Sequence, residues 1–254
     1  MTLTPENYFQ DKEYFSVSRW KVFNKCEFQG VNPIEYNSTA MMVGSYVDAY
    51  VEGTLEKFKE EHPEIFSSKG ATKGELKSDY KYANEICSYI DNDPVLQQFL
   101  SGEKQTVMTG EIGGVPFKIK IDSYSKGIAI NDLKIMRSVT NYQGQYVDFI
   151  TPWQYDVQLA CYQEIVRQNT GETLPCFICA VTKESPIDSL IVALPQNMLD
   201  RALYMVESTI GRYYELSKGI DEPVRCERCD ACRSTRKETP IISFEELMGD
   251  YNGL

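Results

Sequence analysis

The sequence is poor in histidine, in basic charge and in long apolar stretches, and each shortage excludes a class of function. Its one histidine, His62, precedes Pro63 at a predicted helix end, which indicates a cap and not a catalytic base. Lysine and arginine number 26 against 37 aspartates and glutamates, for a formal net charge of -11. A chain with this net charge does not bind nucleic acid through overall electrostatic attraction. An acidic pocket neutralised by divalent cations is nevertheless compatible with a nucleic-acid substrate.

Membrane-spanning and targeting segments are also missing from the sequence. No apolar run approaches the roughly 18 residues of a membrane helix. The opening stretch MTLTPENYFQDKEYF has no basic segment followed by an apolar core, so we expect a cytoplasmic protein without membrane partners. The eight cysteines are then expected to be thiols or metal ligands and not a disulfide framework.

The order of periodic patterns predicts a mixed α/β fold in a single domain over residues 1–254. Helical patterns fill the first hundred residues, including one long helix over about residues 38–62. Period-two alternation then indicates an antiparallel meander over residues 104–139. A helix that starts near Pro152 and ends at Gly171, two more strands and another long helix follow. This order favours a central sheet with helices on its faces.

The stretch KIKIDSYSKGIAINDLKIM, residues 118–136, carries charge where a sheet is normally apolar. Side chains two apart on a strand share a face, so Asp132 and Lys134 project together and Leu133 projects to the other side. Asp122 lies on the preceding strand and can come opposite them. Two converging carboxylates suit Mg²⁺ or Mn²⁺, and the lysine can orient a phosphate or a water. A salt bridge on an exposed sheet face explains the hairpin charges equally well.

Two predicted helices add polar pairs at four-residue spacing, which places each pair on one helix face. The earlier helix carries Asp48 and Glu52, with Gly44 one turn before, where a helix can approach another backbone closely. The later helix carries Gln158 and Tyr162. Taken alone, the first pair also fits a solvated acidic face, and the second fits a surface pair worth about 0.2–0.5 kcal/mol.

Taken in chain order, these groups resemble the motifs of the PD-(D/E)XK nuclease superfamily. They are most similar to its RecB-like and RecE-like exonuclease branch, which includes phage-type exonucleases. The resemblance covers roughly residues 14–235 and opens with the Ser-x-Ser of YFSVSRWKVFNKCEF. The further motifs are Gly44-x3-Asp48, Asp122, Asp132-Leu133-Lys134 and Gln158-x3-Tyr162. The resemblance implies a restriction-endonuclease-like α/β core with a mixed central β-sheet flanked by α-helices.

The resemblance also implies a metal-dependent deoxyribonuclease that hydrolyses phosphodiester bonds by a metal-activated water. Asp122 and Asp132 would hold Mg²⁺ or Mn²⁺, with Asp48 and the Leu133 backbone carbonyl as further ligands. Lys134 would position or deprotonate the water, which makes Asp122, Asp132 and Lys134 the implied catalytic residues. Many relatives have histidine where this chain has Asp48. Aspartate can still ligate Mg²⁺, so the substitution leaves metal preference and rate open.

The implied role is that of a DNA exonuclease in phage-type recombination or repair. Gln158 and Tyr162 would contact the end of a linear duplex or a single strand, or its phosphate. A single-strand-annealing recombination protein is the implied partner, and related exonucleases form homo-oligomeric rings. Two other classes stay open: a non-catalytic nucleic-acid-binding or assembly module on the same fold, and a metal-stabilised interaction protein whose hairpin charges form salt bridges. The three intact hairpin charges favour catalysis, because an inactive site does not need them all.

The cysteines predict a second metal centre. CERCDAC places Cys226, Cys229 and Cys232 at two successive C-x2-C spacings, which suits chelation of one centre. In the iron–sulphur members of the nuclease branch, one N-terminal and three C-terminal cysteines hold a [4Fe–4S] cluster, and this layout resembles theirs with Cys26 as the fourth ligand. Zn²⁺ or free thiols are the alternatives. Residues 222–254 are expected to form a Cys-rich C-terminal extension of the nuclease domain.

Overall fold

A five-stranded mixed sheet forms the centre of the computed structural model, which describes residues 3–5, 7–34 and 38–249. The strands follow each other in chain order across the sheet: β1 (Glu103–Ile112), β2 (Val115–Ser125), β3 (Ala129–Met136), β4 (Cys176–Thr182) and β5 (Ser189–Ala193). β3 and β4 run parallel, and the other neighbouring pairs are antiparallel. A parallel pair needs a crossover connection, which a helix supplies between β3 and β4.

Helices cover both faces of this sheet and confirm the predicted architecture. The α-helices of the described residues are α1 (Val17–Lys25), α2 (Glu27–Val31), α3 (Thr39–Val51), α4 (Leu55–Glu61), α5 (Ser78–Asn92), α6 (Pro94–Phe99), α7 (Tyr155–Thr170), α8 (Gln196–Ser217), α9 (Asp230–Ser234) and α10 (Phe244–Gly249). One core, with Trp20 and Ile210, joins α1, α7 and α8 to the sheet. The other, with Tyr46 and Ile86, joins α3 and α5 to the opposite face. In the described part of the chain, no helix has the length and apolar character needed to span a bilayer.

The β2–β3 hairpin has the alternation that the sequence predicts. Its ladder of paired residues ends at Ser123 and Asn131, immediately before Asp122 and Asp132. Leu133 packs into the core formed with α3 and α5. Asp132 lies on the other face of β3, beside α7, and has no exposed surface. The two aspartates therefore stand where the two strands stop pairing.

Two helix boundaries differ from the prediction. The long helix expected over residues 38–62 is interrupted, because Gly53 has a left-handed φ of 77° that separates α3 from α4. The helix expected to start near Pro152 starts at Tyr155. Gln154 has a left-handed φ of 54°, which a helix interior does not accept, so the residues before it form a turn.

The close backbone approach that Gly44 permits is not used within the described chain. A Cβ added at this glycine would meet nothing within 4 Å. α3 instead buries Val43, Tyr46 and Val47 in the core shared with α5, and Gly44 lies beside that buried face. Packing within the chain therefore does not require glycine at this position.

Candidate active site

Polar side chains on β3 connect directly to the two predicted polar residues of α7. Asp132 forms an ion pair with Lys134 on the same strand face. Gln158 Nε2 donates a hydrogen bond of 2.7 Å to Asp132 Oδ1 and one of 3.1 Å to the Tyr162 hydroxyl oxygen. The salt bridge considered for the hairpin therefore exists, but it is buried beneath α7. Gln158 and Tyr162 point to it and do not form a surface pair.

Burial and mutual charge set the protonation of this ion pair. Burial raises the pKa of Asp132 to about 7, although Lys134 opposes this rise and Asp122 adds to it. Burial also acts to lower the pKa of Lys134, but Asp132 and Asp122 outweigh burial and raise the pKa above its ordinary value. Lys134 is therefore an ammonium at neutral pH.

A cavity of about 10 Å³ lies between α3 and the β2–β3 hairpin. Its lining combines the carboxylates of Asp48, Glu52 and Asp122 with the apolar residues Val51, Leu100 and Leu133. Burial raises the pKa of Asp48, and the nearby Asp122 adds to that rise. The space holds about one water molecule or one small ion. A hard divalent cation there would compensate the negative charge that burial penalises, but the carboxylate oxygens of Asp48, Glu52 and Asp122 do not all lie within 4.8 Å of one another in the described chain.

Asp132 does not line this ion-sized cavity. Ligand oxygens of Asp48, Asp122 and Asp132 do not all lie within 4.8 Å of one another in the described chain. Leu133 links the two sides of the site, since its backbone N–H donates to Asp122 Oδ2 at 3.2 Å. The structure thus gathers Asp48, Asp122 and Leu133 at one small space and places Asp132 beside it with Lys134.

A larger cavity of about 280 Å³ opens above these carboxylates, and we name it the catalytic pocket. It is lined by predicted residues and by several that the sequence analysis did not single out. The residues named from the sequence are Asp48, Glu52, Asp122, Gln158 and Tyr162, together with Ser16 and Ser18 of the Ser-x-Ser that opens the motif series. The others include Tyr8, Phe9, Lys21, Gln105 and Lys120. Lys21 and Lys120 lie in stretches that carry motifs, whereas the sequence around Tyr8, Phe9 and Gln105 gives no local sign of a site.

Lys21 on α1 adds a second cation beside Lys134. Its Nζ donates to the Trp153 carbonyl oxygen at 2.8 Å. The Tyr155 ring lies near both ammonium groups, with its centroid 5.4 Å from Lys21 Nζ and 5.2 Å from Lys134 Nζ. Burial lowers the pKa of Lys21 to about 8; Lys134 lowers it further and Asp132 opposes the change. Two cations thus flank one aromatic ring at the edge of the carboxylates.

Gln105 on β1 occupies a strained position at the acidic wall. Its φ is 52°, and the β1–β2 ladder passes from Lys104 to Thr106 without pairing it. Its Nε2 donates to Glu52 Oε1, whereas its own side-chain oxygen is buried without a hydrogen-bond partner among the described residues. Backbone strain of this kind clusters at functional sites.

The four predicted cysteine ligands meet where the beginning and the end of the described chain come together. The Sγ atoms of Cys26, Cys226, Cys229 and Cys232 all lie within 4.8 Å of one another. Cys232 Sγ is 3.7 Å from Cys26 Sγ and 3.9 Å from Cys226 Sγ. Hydrogen bonds from the backbone N–H groups of Arg228 and Cys229 lower the pKa of Cys226 to about 6. This favours the thiolate of Cys226, the form that binds metals, whereas burial raises the pKa of Cys229 to about 12.

Comparison with known proteins places this geometry in a family. Residues 16–235 match the model of a PDDEXK-like domain of unknown function, DUF3799. A crystal structure from Eubacterium rectale, provisionally named an exonuclease, is 46% identical over 97% of this chain and 98% of that chain, with a TM-score of 0.88. The crystal structure of SSO0001 covers 80% of this chain and 88% of that chain, at 13% identity and a TM-score of 0.29, which is too low to bear on the fold. No curated protein matches the chain. The chain belongs to the DUF3799 family of PDDEXK-like domains, and through it to the PD-(D/E)XK nuclease superfamily that its motifs resemble.

Proposed function

We propose that this protein is a metal-dependent nuclease that hydrolyses phosphodiester bonds in DNA, starting from an end. The observation that carries the proposal is the ion-sized cavity lined by Asp48, Glu52 and Asp122 beside the buried pair of Asp132 and Lys134. Family membership supports nuclease chemistry, and the name of the Eubacterium rectale relative supports action as an exonuclease. The family resemblance favours a role in phage-type recombination or repair, beside a single-strand-annealing protein.

The site residues divide into metal ligands and a fixed cation. Asp48, Asp122 and the Leu133 carbonyl would hold Mg²⁺ or Mn²⁺, and Asp132, which lies beside the cavity paired with Lys134, would have to shift toward the ion to join them. The ion would supply positive charge to the scissile phosphate and lower the pKa of the attacking water. Lys134 forms an ion pair with Asp132 at the edge of this site, so we assign it to orienting that water and stabilising phosphate charge. The water would release its proton to solvent, its oxygen would bond to phosphorus as the bond from phosphorus to the leaving sugar oxygen breaks, and that sugar oxygen would take up a proton from solvent.

Gln158 and Tyr162 have different roles in this proposal. Gln158 donates hydrogen bonds to both the Asp132 carboxylate and the Tyr162 hydroxyl, so it positions both groups. Burial raises the pKa of Tyr162, and its hydroxyl stays protonated at neutral pH. That hydroxyl can donate a hydrogen bond to a phosphate oxygen in the catalytic pocket. Tyr162 is then the direct substrate contact, and Gln158 acts mainly through its neighbours.

Digestion of linear duplex DNA tests the nuclease proposal. Wild-type protein, Asp132→Asn, Lys134→Met and the control Asp200→Asn are incubated with DNA and Mg²⁺ or Mn²⁺. Asp200 is an exposed carboxylate on α8, away from the site. We expect the wild type and the control to degrade DNA and the two site variants to be at least about 100-fold slower. Thermal unfolding shows whether each variant is folded.

Two outcomes contradict the nuclease proposal. One is a wild-type protein that degrades no DNA with either metal. The other is folded Asp132→Asn and Lys134→Met proteins that match the wild type. In either case a non-catalytic nucleic-acid-binding module becomes the better explanation, with the replacement of the usual histidine by Asp48 as its supporting observation.

For the cysteine site we propose one zinc ion in preference to a [4Fe–4S] cluster. Thiolates about 2.3 Å from one tetrahedral Zn²⁺ place their sulfurs about 3.8 Å apart, close to the 3.7 and 3.9 Å measured from Cys232 to Cys26 and Cys226. In a [4Fe–4S] cluster each cysteine binds a different iron, which requires wider spacing. The ion would fasten the Cys-rich extension, residues 222–254, to α2. Metal and sulfide analysis after anaerobic purification should find zinc, and iron with sulfide would overturn the proposal.

A further inference from the structure

Phe9 is an exposed aromatic ring at the point where three cavities adjoin. It lines the catalytic pocket and two neighbouring cavities of about 550 and 440 Å³. Phe9 is 75% exposed. A phenyl group held in water beside a candidate active site gains free energy when a flat apolar partner covers it.

Buried contacts fix the segment that carries Phe9. Lys118, which is only 4% exposed, donates from Nζ to the Tyr8 carbonyl oxygen at 2.6 Å and to the Asp11 carbonyl oxygen at 2.8 Å. The Tyr8 hydroxyl donates in return to the Lys118 carbonyl oxygen at 3.2 Å. The Tyr8 ring meets the Phe9 ring edge-on, with centroids 5.3 Å apart. The position of Phe9 is thus set by the core and not by an isolated surface turn.

Cationic side chains line the cavities on both sides of Phe9, although the chain is acidic overall. They are Lys57, Lys104 and Lys120 in the larger cavity and Lys12 and Arg19 in the other; Lys118 also lines the second cavity, but its ammonium is bound by the Tyr8 and Asp11 carbonyl oxygens. Lys120 Nζ lies 4.7 Å from the centroid of the Phe9 ring. Acidic groups share these walls, among them the proposed metal ligands. An aromatic ring with flanking cations is the arrangement that binds single-stranded nucleic acid, by stacking on a base and pairing with phosphates.

We propose, on the basis of the nuclease function proposed above, that Phe9 stacks on an unpaired base while Lys120 contacts a neighbouring phosphate. The substrate is then single-stranded DNA or a separated duplex end. With an unpaired base held by Phe9, a duplex end would separate before its phosphate reaches the carboxylates, as in enzymes that draw a nucleotide out of the stack.

Binding without catalysis tests this inference directly. Fluorescein-labelled single-stranded and hairpin-duplex oligonucleotides are titrated by fluorescence anisotropy without added Mg²⁺ or Mn²⁺. The proteins are the wild type, Phe9→Ala, Phe9→Tyr and the control Tyr204→Ala. Tyr204 is a 72% exposed aromatic on α8 that lines none of the three cavities. Thermal unfolding checks that each variant is folded.

We expect the wild type to bind the single strand at least about 10-fold more tightly than the duplex. Phe9→Ala should weaken single-strand binding by about 5- to 100-fold, while Phe9→Tyr and Tyr204→Ala stay near the wild type. Equal single-strand binding by folded Phe9→Ala and wild type would overturn the inference, and so would a wild-type preference for duplex.

Cleavage of the same two DNAs with Mn²⁺ separates this inference from the nuclease proposal. If the protein binds single strands through Phe9 but cleaves neither DNA, the nuclease proposal is wrong and the single-strand site stands. If it cleaves DNA but Phe9→Ala binds and cleaves the single strand like the wild type, the inference about Phe9 is wrong and the nuclease proposal stands.

Discussion

Glu27 and Arg212 form a two-armed ion pair that joins α2 to α8. Arg212 Nε donates to Glu27 Oε1 at 2.6 Å, and Nη2 donates to Glu27 Oε2 at 2.8 Å. The backbone N–H of Val224 also donates to Glu27 Oε2 at 2.8 Å. Glu27 directly follows Cys26, so one carboxylate helps to hold the returning chain beside the first cysteine of the proposed zinc site.

The Glu27 carboxylate should stabilise the fold in a pH-dependent way. Hydrogen bonds from Arg212 lower the pKa of Glu27 below its ordinary value of 4.5. The stabilisation is therefore fully present above pH 4.5 and is lost as the pH falls through the lowered folded-state pKa. We expect Glu27→Gln to lower the free energy of unfolding by about 1–2 kcal/mol at pH 7, since Arg212 is partly exposed. Urea unfolding at pH 7 and pH 3.5 should show this difference shrinking in acid.

Glu215→Gln is the matched control for Glu27→Gln. Glu215 is an exposed carboxylate on α8. Its replacement should change the free energy of unfolding by less than about 0.5 kcal/mol at both pH values. An equal loss of stability from Glu27→Gln at pH 7 and pH 3.5 would contradict the assigned charge interaction.

Gln158→Ala should reduce the rate of DNA cleavage more than it weakens substrate binding. The change leaves the buried Asp132 Oδ1 without its hydrogen bond and frees the Tyr162 hydroxyl from Gln158. We expect kcat to fall by at least about 10-fold with KM little changed, and the free energy of unfolding to fall by about 1–3 kcal/mol. Steady-state cleavage of labelled DNA measures both constants.

The control for that change is Gln98→Ala, because Gln98 is an exposed glutamine at the end of α6. Its cleavage kinetics should equal those of the wild type. If Gln158→Ala raises KM and leaves kcat unchanged, Gln158 is a direct substrate contact and our assignment of it as a positioning residue is wrong.

Gly44→Ala should stabilise the protein. Alanine has a higher helix propensity than glycine by about 0.8–1.0 kcal/mol, and a Cβ at Gly44 meets no atom within 4 Å. Gly211 on α8 has the same open surroundings, so Gly211→Ala should give a similar gain. Gly113→Ala should destabilise instead, because Gly113 has a φ of 56° and its Cβ would lie 2.9 Å from Ile210. Urea midpoints of the three variants provide the measurement.

The activity of Gly44→Ala adds separate information. Gly44 opens the helical motif that ends at Asp48. The absence of a side chain at this position can therefore serve the substrate and not the fold. If the stabilised Gly44→Ala protein loses DNA cleavage while Gly211→Ala keeps it, DNA must approach α3 closely at Gly44. A destabilised Gly44→Ala protein would contradict the open surroundings of this residue.

Cys232→Ser should release the metal of the cysteine site. Cys232 is buried and lies within 4 Å of two other candidate ligand sulfurs. Loss of one of four thiolates should remove most bound zinc and lower the midpoint of thermal unfolding. Cys87→Ser is the control, because Cys87 is a buried cysteine in the α3–α5 core that lies outside the metal group. It should keep its zinc even if its stability falls.

Lys118→Met should weaken single-strand binding without altering Phe9 itself. Methionine fills similar space but removes the hydrogen bonds to the Tyr8 and Asp11 carbonyl oxygens. The Phe9 segment then loses its anchor, and we expect affinity for single-stranded DNA to fall by about 5-fold or more. Anisotropy titration measures the affinity, and Lys126→Met, at an exposed turn, controls for the loss of one positive charge. Equal affinities for the two variants would contradict the anchoring role of Lys118.

Local sequence determined the parts of this protein that depend on near neighbours. Alternation with period two placed Asp132 and Lys134 on one face of β3 and Leu133 on the other, and four-residue spacing placed Gln158 beside Tyr162. Spacing also marked Cys226, Cys229 and Cys232 as one chelating group, though it left zinc and iron–sulphur open. These features follow from the periodicity of strands, helices and short loops, which adjacent residues impose on one another.

Tertiary structure decided which of these groups meet and what surrounds them. The ion-sized cavity exists because α3 brings Asp48 to the hairpin that carries Asp122. Tyr8 contacts Lys118, which lies 110 residues further along the chain. No local sequence pattern indicates that contact or the exposed ring of Phe9 beside it. Contacts between distant segments depend on how whole layers pack, because burial and charge compensation are properties of the assembled core and not of any stretch of sequence.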